Sequence, residues 1–444
     1  MSGIKRLVDL VNRGPKDAFF TPMDACETVF HRRTERYHNV VPEIREIGFK
    51  GTAAWGGRIT IPLTRQDSGD LLQWLAVRLV PGSIYGAAVD NRLRAGWTFA
   101  DISGSWRYAD SLGTAAIALV EFEIGDALVE TWPGEWMDVW SRTWIDAGRA
   151  GVWDTDIYGL GVAGSGTDGV YCWLPLALLR RVGTAFPLLS VTDQEIRVHV
   201  TFRSYADVVR MVDRDRATPC EVPTSVTLLD PSGSPVTFPV SGTPTFTTKI
   251  LAGVTLTEDP LRNGYLRAPL ELMYELVSYS RFDMPLSVAG GLWSAQFPLM
   301  FNGPLREIAF FLRRKDVWKR STWTDYSRTG SAVVNSDNAL LVSARLWVDN
   351  AVWREDTEAW WRVEYGRCHR GGVRLAAGFV YGLVFGGSLG AEELQPGATV
   401  NASRAKLRLE LTMQGEGGWD LHVFGIGLNW MRFAQGMAVP LFRD

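Results

Sequence analysis

The chain has 444 residues, 46% of them apolar and 21% charged, with a formal net charge of −3. That composition excludes a disordered chain, which would be more polar. It also excludes the global basic field that holds a phosphate backbone, so no direct contact with nucleic acid is expected. The length exceeds one ordinary core and predicts two domains of about 200 residues.

The first dozen residues place Ile4, Leu7, Val8, Leu10 and Val11 at helical spacing until Gly14-Pro15 ends the pattern. This predicts a short amphipathic helical arm within 1–26. A helix so short is marginal alone in water, so it must order against a partner surface. That surface is either its own domain or a neighbouring subunit, which makes Ile4, Leu7, Val8 and Val11 candidate assembly contacts.

From about residue 45 the helical period gives way to short alternating or apolar runs. They include 58–61, 72–80, 116–124, 196–202, 308–312, 340–348, 405–411 and 421–430, most of them edged by Gly, Pro, Asp, Asn or Ser. An all-β sandwich or barrel class follows. The stretch 211–244 is rich in Pro, Thr, Ser and Asp and marks the join. The expected division is an arm at 1–26, a first domain at 27–212, a linker at 213–225 and a second domain at 226–444.

The two halves echo one another. The run 120–128 lines up with 344–352 at an offset of 224, and each is followed by a Trp-rich segment. The alternating run 196–201 lines up with 407–412 at an offset of 211. Similarity in the same order at so long a period predicts a duplicated domain. Trp132, Trp136 and Trp140 recur every four residues, and Pro133 suits a first helical turn, so a short helix with one aromatic face is expected there. That face either packs on the sheet or anchors a subunit contact. The segments 141–169 and 350–372 read as long projecting loops.

Signals for catalysis are weak. Gly164 to Gly169 matches G-x-G-x-x-G, but strand-like Val170 to Trp173 and then Pro175 follow it where a dinucleotide site needs a helix N-terminus. The histidines at 31, 38, 199, 369 and 422 show no metal-ligand spacing. Glu121 and Glu123 share a strand face and could in principle form an acid–base pair, although with no accompanying pocket signal a solvated strand face is the stronger reading. Cys26, Cys172, Cys220 and Cys368 form no C-x-x-C pair and read as reduced thiols in a cytoplasmic setting. No apolar run spans a bilayer and no secretory signal is apparent, so a soluble product is expected. The sequon at Asn401 reads as structural. No cofactor, no metal and no enzyme activity are expected.

Several segments in order resemble the major capsid protein family of the nucleocytoplasmic large DNA viruses. Leu10 to Thr21 resembles its opening segment and Thr28 to Thr34 its arginine-rich step. Gly69-Asp70-Leu71-Leu72 precedes a strand as in the family, and Leu119 to Gly125 leads into Gly134 to Trp140. Leu174 to Val198 is the best stretch. Leu394 to Arg404 resembles the proline-serine-glycine and asparagine-phenylalanine-serine-arginine signature, with Ala402 in place of the aromatic, no serine after Pro396, and Ala405 breaking the end.

The resemblance implies two consecutive eight-stranded antiparallel jelly rolls in one chain behind the helical arm. It implies a homotrimeric, pseudo-hexagonal capsomer of an icosahedral virion, assembled in the host cytoplasm. The implied partners are neighbouring capsomers, minor capsid proteins and the membrane layer beneath the shell. The departures leave a minor or vertex capsid paralogue as the alternative. A carbohydrate-binding β-sandwich is the competing class, marked by tryptophans and paired carboxylates in one groove. A membrane-associated scaffold would touch its membrane through the arm alone.

Overall fold

The computed structural model describes residues 39–442 apart from 103, 154–168, 181–183, 241, 285–290, 330–335, 370–371, 373–377, 387–398 and 416. The arm, with Ile4, Leu7, Val8 and Val11, lies outside the described residues, as do Cys26, His31, His38 and Gly164 to Asp168.

Eight strands build a first sandwich: β1 (Val40–Ile47), β2 (Arg58–Pro62), β3 (Leu71–Pro81), β4 (Ile117–Ile124), β5 (Ala127–Pro133), β6 (Val170–Trp173), β7 (Ile196–Phe202) and β8 (Phe246–Thr257). They pair in the order β1-β8-β3-β6 in one sheet and β2-β7-β4-β5 in the other, the latter extended by Lys50–Gly51. Strand β7 shows why the chain folds this way. Ile196, Val198, Val200 and Phe202 are buried while Arg197, His199 and Thr201 are half-exposed, so the two-residue period sends one set into the core.

A second sandwich follows: β9 (Leu270–Asp283), β10 (Leu292–Leu299), β11 (Pro304–Arg314), β12 (Leu341–Val348), β13 (Ala351–Thr357), β14 (Val380–Val384), β15 (Leu407–Gln414) and β16 (Trp419–Ala434). Its sheets run β9-β16-β11-β14 and β10-β15-β12-β13. Each order repeats the first sandwich with every strand number raised by eight. Both are eight-stranded antiparallel jelly rolls, whose two packed sheets limit exposed edges. The offset of 224 superposes the hairpins β4–β5 and β12–β13, and the offset of 211 superposes β7 on β15.

Four expectations are corrected. Strand β8 pairs with β3 from Phe246 opposite Pro81 to Thr255 opposite Leu71, so the chain completes the first sandwich only at Thr257 and not before 213–225. The polar stretch that reads as a linker contains a surface hairpin, Ser225–Leu229 with Pro235–Pro239. Its turn is held by the Asp230 carboxylate, which accepts from the Ser232 and Ser234 N–H groups, each at 2.9 Å. Within the stretch read as a loop lie strand β13 and a helix at Glu358–Arg367, because the sheet and the Trp361 side chain capture them. Trp132 belongs to strand β5 and only Trp136 and Trp140 are helical, since the helix begins after Pro133.

Candidate assembly interface

Helix α1 (Glu135–Trp144) turns off the end of β5 at Gly134. A Cβ there would lie 2.1 Å from the Ile117 carbonyl oxygen, so only glycine lets the helix start so close to β4. Eight of its residues are buried, Glu135 to Ser141 and Thr143. A helix buried nearly all round lies between two bodies. Trp140 reaches the first sandwich through Trp153, whose ring lies 5.8 Å from that of Trp140 and 5.7 Å from that of Trp173 on β6. Trp136 faces the second, 5.1 Å from the ring of Phe424 on β16. The tryptophan pattern thus joins two sandwiches of one chain.

Beside Trp136 lies a buried ionic knot. The Glu135 carboxylate accepts from Arg203 at 2.7 Å, just after β7, and from Arg313 on β11. The Arg203 guanidinium lies 3.8 Å from the Trp323 ring centroid, which also faces Arg313 at 5.2 Å. Burial by itself raises the Glu135 pKa, but the two guanidinium groups outweigh it and hold the carboxyl well below its usual range. His422 on β16 is pushed down to about 3 by burial and then by Arg313, so it is neutral. It stacks on Phe311 at 4.7 Å, and its Nδ1 lies 2.8 Å from the Tyr279 hydroxyl.

Two further links cross the joint. Arg180 pairs with Glu130 of β5 and donates to the Glu275 carbonyl of β9, while the Glu275 carboxylate accepts from Arg306 at 3.1 Å. The Tyr326 hydroxyl, after β11, donates to Asp138 of α1 at 2.9 Å. Main-chain bonds add to these: Thr192 and Asp193 N–H groups donate to the Gly436 carbonyl at 2.9 and 3.0 Å. Desolvating so many charges adds little net stability, but each broken pair is costly, so the network selects one relative placement of the sandwiches. The joint also explains the apolar continuity of β11 and β16. Leu305 to Arg313 are all buried because that sheet is covered on both faces.

The residues that could have carried catalysis are engaged elsewhere. Glu121 pairs with Arg58 at 2.8 Å, and Glu123 with His199 at 2.9 Å, whose other ring nitrogen lies 2.9 Å from the Thr60 hydroxyl. Both carboxylates belong to a cross-strand ladder. In the cleft between the sandwiches, Arg210 pairs with Asp110 at 2.9 Å and Arg314 with Asp316 at 2.7 Å. Among the described residues no group of His, Cys, Asp and Glu could hold a metal ion, and no helix is long and apolar enough to cross a membrane. Asn401 closes a local turn, its side-chain oxygen accepting from the Ser403 N–H at 3.1 Å.

Glu135, Arg203 and Arg313 were not among the sequence candidates. The only sequence signals are a glutamate at the head of the tryptophan pattern and an Arg313-Arg314 pair closing an apolar run. Neither says that the two meet across the chain.

Comparisons bear on this architecture. Residues 28–236 match the family model of the major capsid protein N-terminus. The chain is 24% identical over 216 residues to probable capsid protein 4 of Acanthamoeba polyphaga mimivirus, covering 46% of this chain and 39% of that protein. It is 24% identical over 210 residues to the major capsid protein of Pyramimonas orientalis virus, covering 46% and 48%. The matches thus span less than half the length of those relatives. Among solved structures, VP54 of PBCV-1, fitted into a reconstruction of the virophage Sputnik, superposes with a TM-score of 0.70 at 16% identity over 94% of this chain and 100% of that one. The Faustovirus major capsid protein gives 0.64 at 10% identity over 95% of each. At such identities the likeness establishes the fold.

Proposed function

We propose, for a chain that belongs to the major capsid protein family of the nucleocytoplasmic large DNA viruses, that it is the structural unit of an icosahedral shell and closes into a homotrimer with a pseudo-hexagonal footprint. One observation carries this reading: two jelly rolls of identical strand order are locked side by side by buried ion pairs. Three such chains present six similar faces around a closed threefold axis, which tiles a surface. Assembly takes place in the host cytoplasm. The lateral partners are neighbouring capsomers and minor capsid proteins, and the arm carrying Ile4, Leu7, Val8 and Val11 reaches them or the membrane layer beneath.

Among the described residues, the engagement of Glu121, Glu123, His199, His369 and His422 in structural pairs supports a non-enzymatic role. The test is the mass of the purified full chain across micromolar concentrations. Three times the 49.4 kDa chain mass is expected. A stable monomer overturns the reading.

A further inference from the structure

The duplication lets the interiors of the two jelly rolls be compared pair by pair. In the first, β3 and β8 pair Leu72 with Val254, Trp74 with Gly253 and Leu75 with Ala252, one residue of β3 being bulged out. In the second, β11 and β16 pair Leu305 with Gly427, Glu307 with Ile426 and Ile308 with Gly425, with the bulge at the same step. Each leading leucine is bridged on its other side, Leu72 by Phe186 and Leu305 by Val400 of the short strand Val400–Asn401. Val254 and Phe186 of the first roll therefore correspond to Gly427 and Val400 of the second.

This exchange removes side-chain volume from a place that the first roll fills. Val254 is fully buried there, and Phe186 packs edge-on against Phe122 of the facing sheet at 5.9 Å between ring centroids. At Gly425, the counterpart of Ala252, the loss is made good, since a Cβ would lie 2.8 Å from the Phe301 ring. At Gly427 no side chain moves in: among the described residues a Cβ would meet only the Pro304 carbonyl group, its oxygen at 3.1 Å. Beside Gly427 an open-mouthed cavity of about 700 Å³ results, within the range of about 300–1,000 Å³ usual for small-molecule sites.

The lining states the chemistry of a ligand. Leu276, Leu305 and Gly427 form an apolar floor, and Leu441 and Phe442, 45% and 55% exposed, stand at the mouth. None of the described residues lining the cavity carries a charge. Asn401 and Ser403 supply the polar edge. The Asn401 side-chain oxygen accepts from the Ser403 N–H at 3.1 Å, and the Ser403 hydroxyl oxygen accepts from the Gly303 N–H at 2.7 Å. The Asn401 amide N–H groups and the Ser403 O–H are left to donate.

We infer that this cavity binds a small uncharged amphiphile, an aliphatic chain ending in a hydroxyl or carbonyl oxygen. The chain lies against Leu276, Leu305 and Gly427, and the oxygen accepts from Asn401 and Ser403. An ionised head would give up its hydration with no opposite charge to meet it. The site belongs to the second roll alone, so it goes beyond the shell reading and does not depend on it.

The test is calorimetric titration of the full chain with decan-1-ol, decanoate and decylammonium, each below its aggregation concentration. One decanol per chain is expected, bound about tenfold or more tighter than either ion. Gly427→Val restores the residue of the first roll and is expected to abolish saturable decanol binding while the mass of the purified protein stays unchanged. Asn401→Asp keeps the oxygen that accepts from Ser403 but removes the donors, and is expected to weaken decanol about tenfold. No saturable decanol binding by the wild type, equal binding of either ion, or undiminished binding by folded Gly427→Val overturns the inference. If Gly427→Val does not fold, Ser278→Leu, which fills the same cavity from β9, decides by the same readout.

Discussion

Glu135 and Arg313 stand on different jelly rolls, 178 residues apart in sequence, and meet where both side chains are at most 8% exposed. Removing one partner leaves the other charge buried and uncompensated. Glu135→Ala is expected to cost about 3–5 kcal/mol in denaturant unfolding. The double variant Glu135→Met with Arg313→Met is expected to recover part of that loss, though Arg203 then lacks its carboxylate. Equal losses in the single and double variants would show that the pair is not coupled.

Two buried histidines predict a stability optimum. His369 has Nε2 at 2.8 Å from Glu307 and Nδ1 at 2.9 Å from the Tyr365 carbonyl. Burial presses its pKa down, but the Glu307 carboxylate outweighs that and the net shift is upward. Its stabilisation is therefore complete below the unfolded value near 6.5 and is lost as pH rises through the raised folded value. His422, pushed down to about 3, binds a proton more readily unfolded than folded. Its effect is a loss of stability as pH falls from about 6.5 toward 3. Thermal unfolding against pH should fall on both sides of a maximum near pH 6–7. His369→Gln should flatten the alkaline limb and His422→Gln the acid limb. A wild-type profile flat from pH 4 to 9 would contradict both.

Gly253 on β8 has the Trp74 indole nitrogen 2.0 Å from where a Cβ would stand. Gly253→Ala must displace Trp74 from its stack on Trp173 and is expected to cost about 1–3 kcal/mol, the usual range for overpacking. A variant with unchanged unfolding and unchanged tryptophan fluorescence would show that the stack yields freely.

The apolar spacing of Ile4, Leu7, Val8 and Val11 in the sequence predicts a separation of folding from assembly. Leu7→Asp with Val8→Asp should leave the proposed trimer and its melting temperature nearly unchanged while impairing shell formation, scored by particle microscopy. Unfolding of the isolated trimer by the same change would place the arm in the core of its own subunit.

Much of the fold was legible because alternation is local. Strands β7 and β15 announce themselves by a two-residue period, and the repeated hairpins at an offset of 224 reveal the duplication without any contact being known. The jelly-roll topology came from the resemblance of ordered segments. What only the tertiary structure decided is where faces with no local signature go. Strand β8 returns to the first sheet across a polar hairpin that resembles a linker, because pairing with β3 is a contact between residues more than 160 apart. Trp136 and Trp360 stand at equivalent places in the repeat, yet one is buried and the other partly exposed. Their own segments cannot distinguish them, since burial depends on whether another sandwich arrives on that side. The same holds for Glu135: a charge at the head of an apolar helix looks like a solvated cap until Arg203 and Arg313 are brought to it from distant strands.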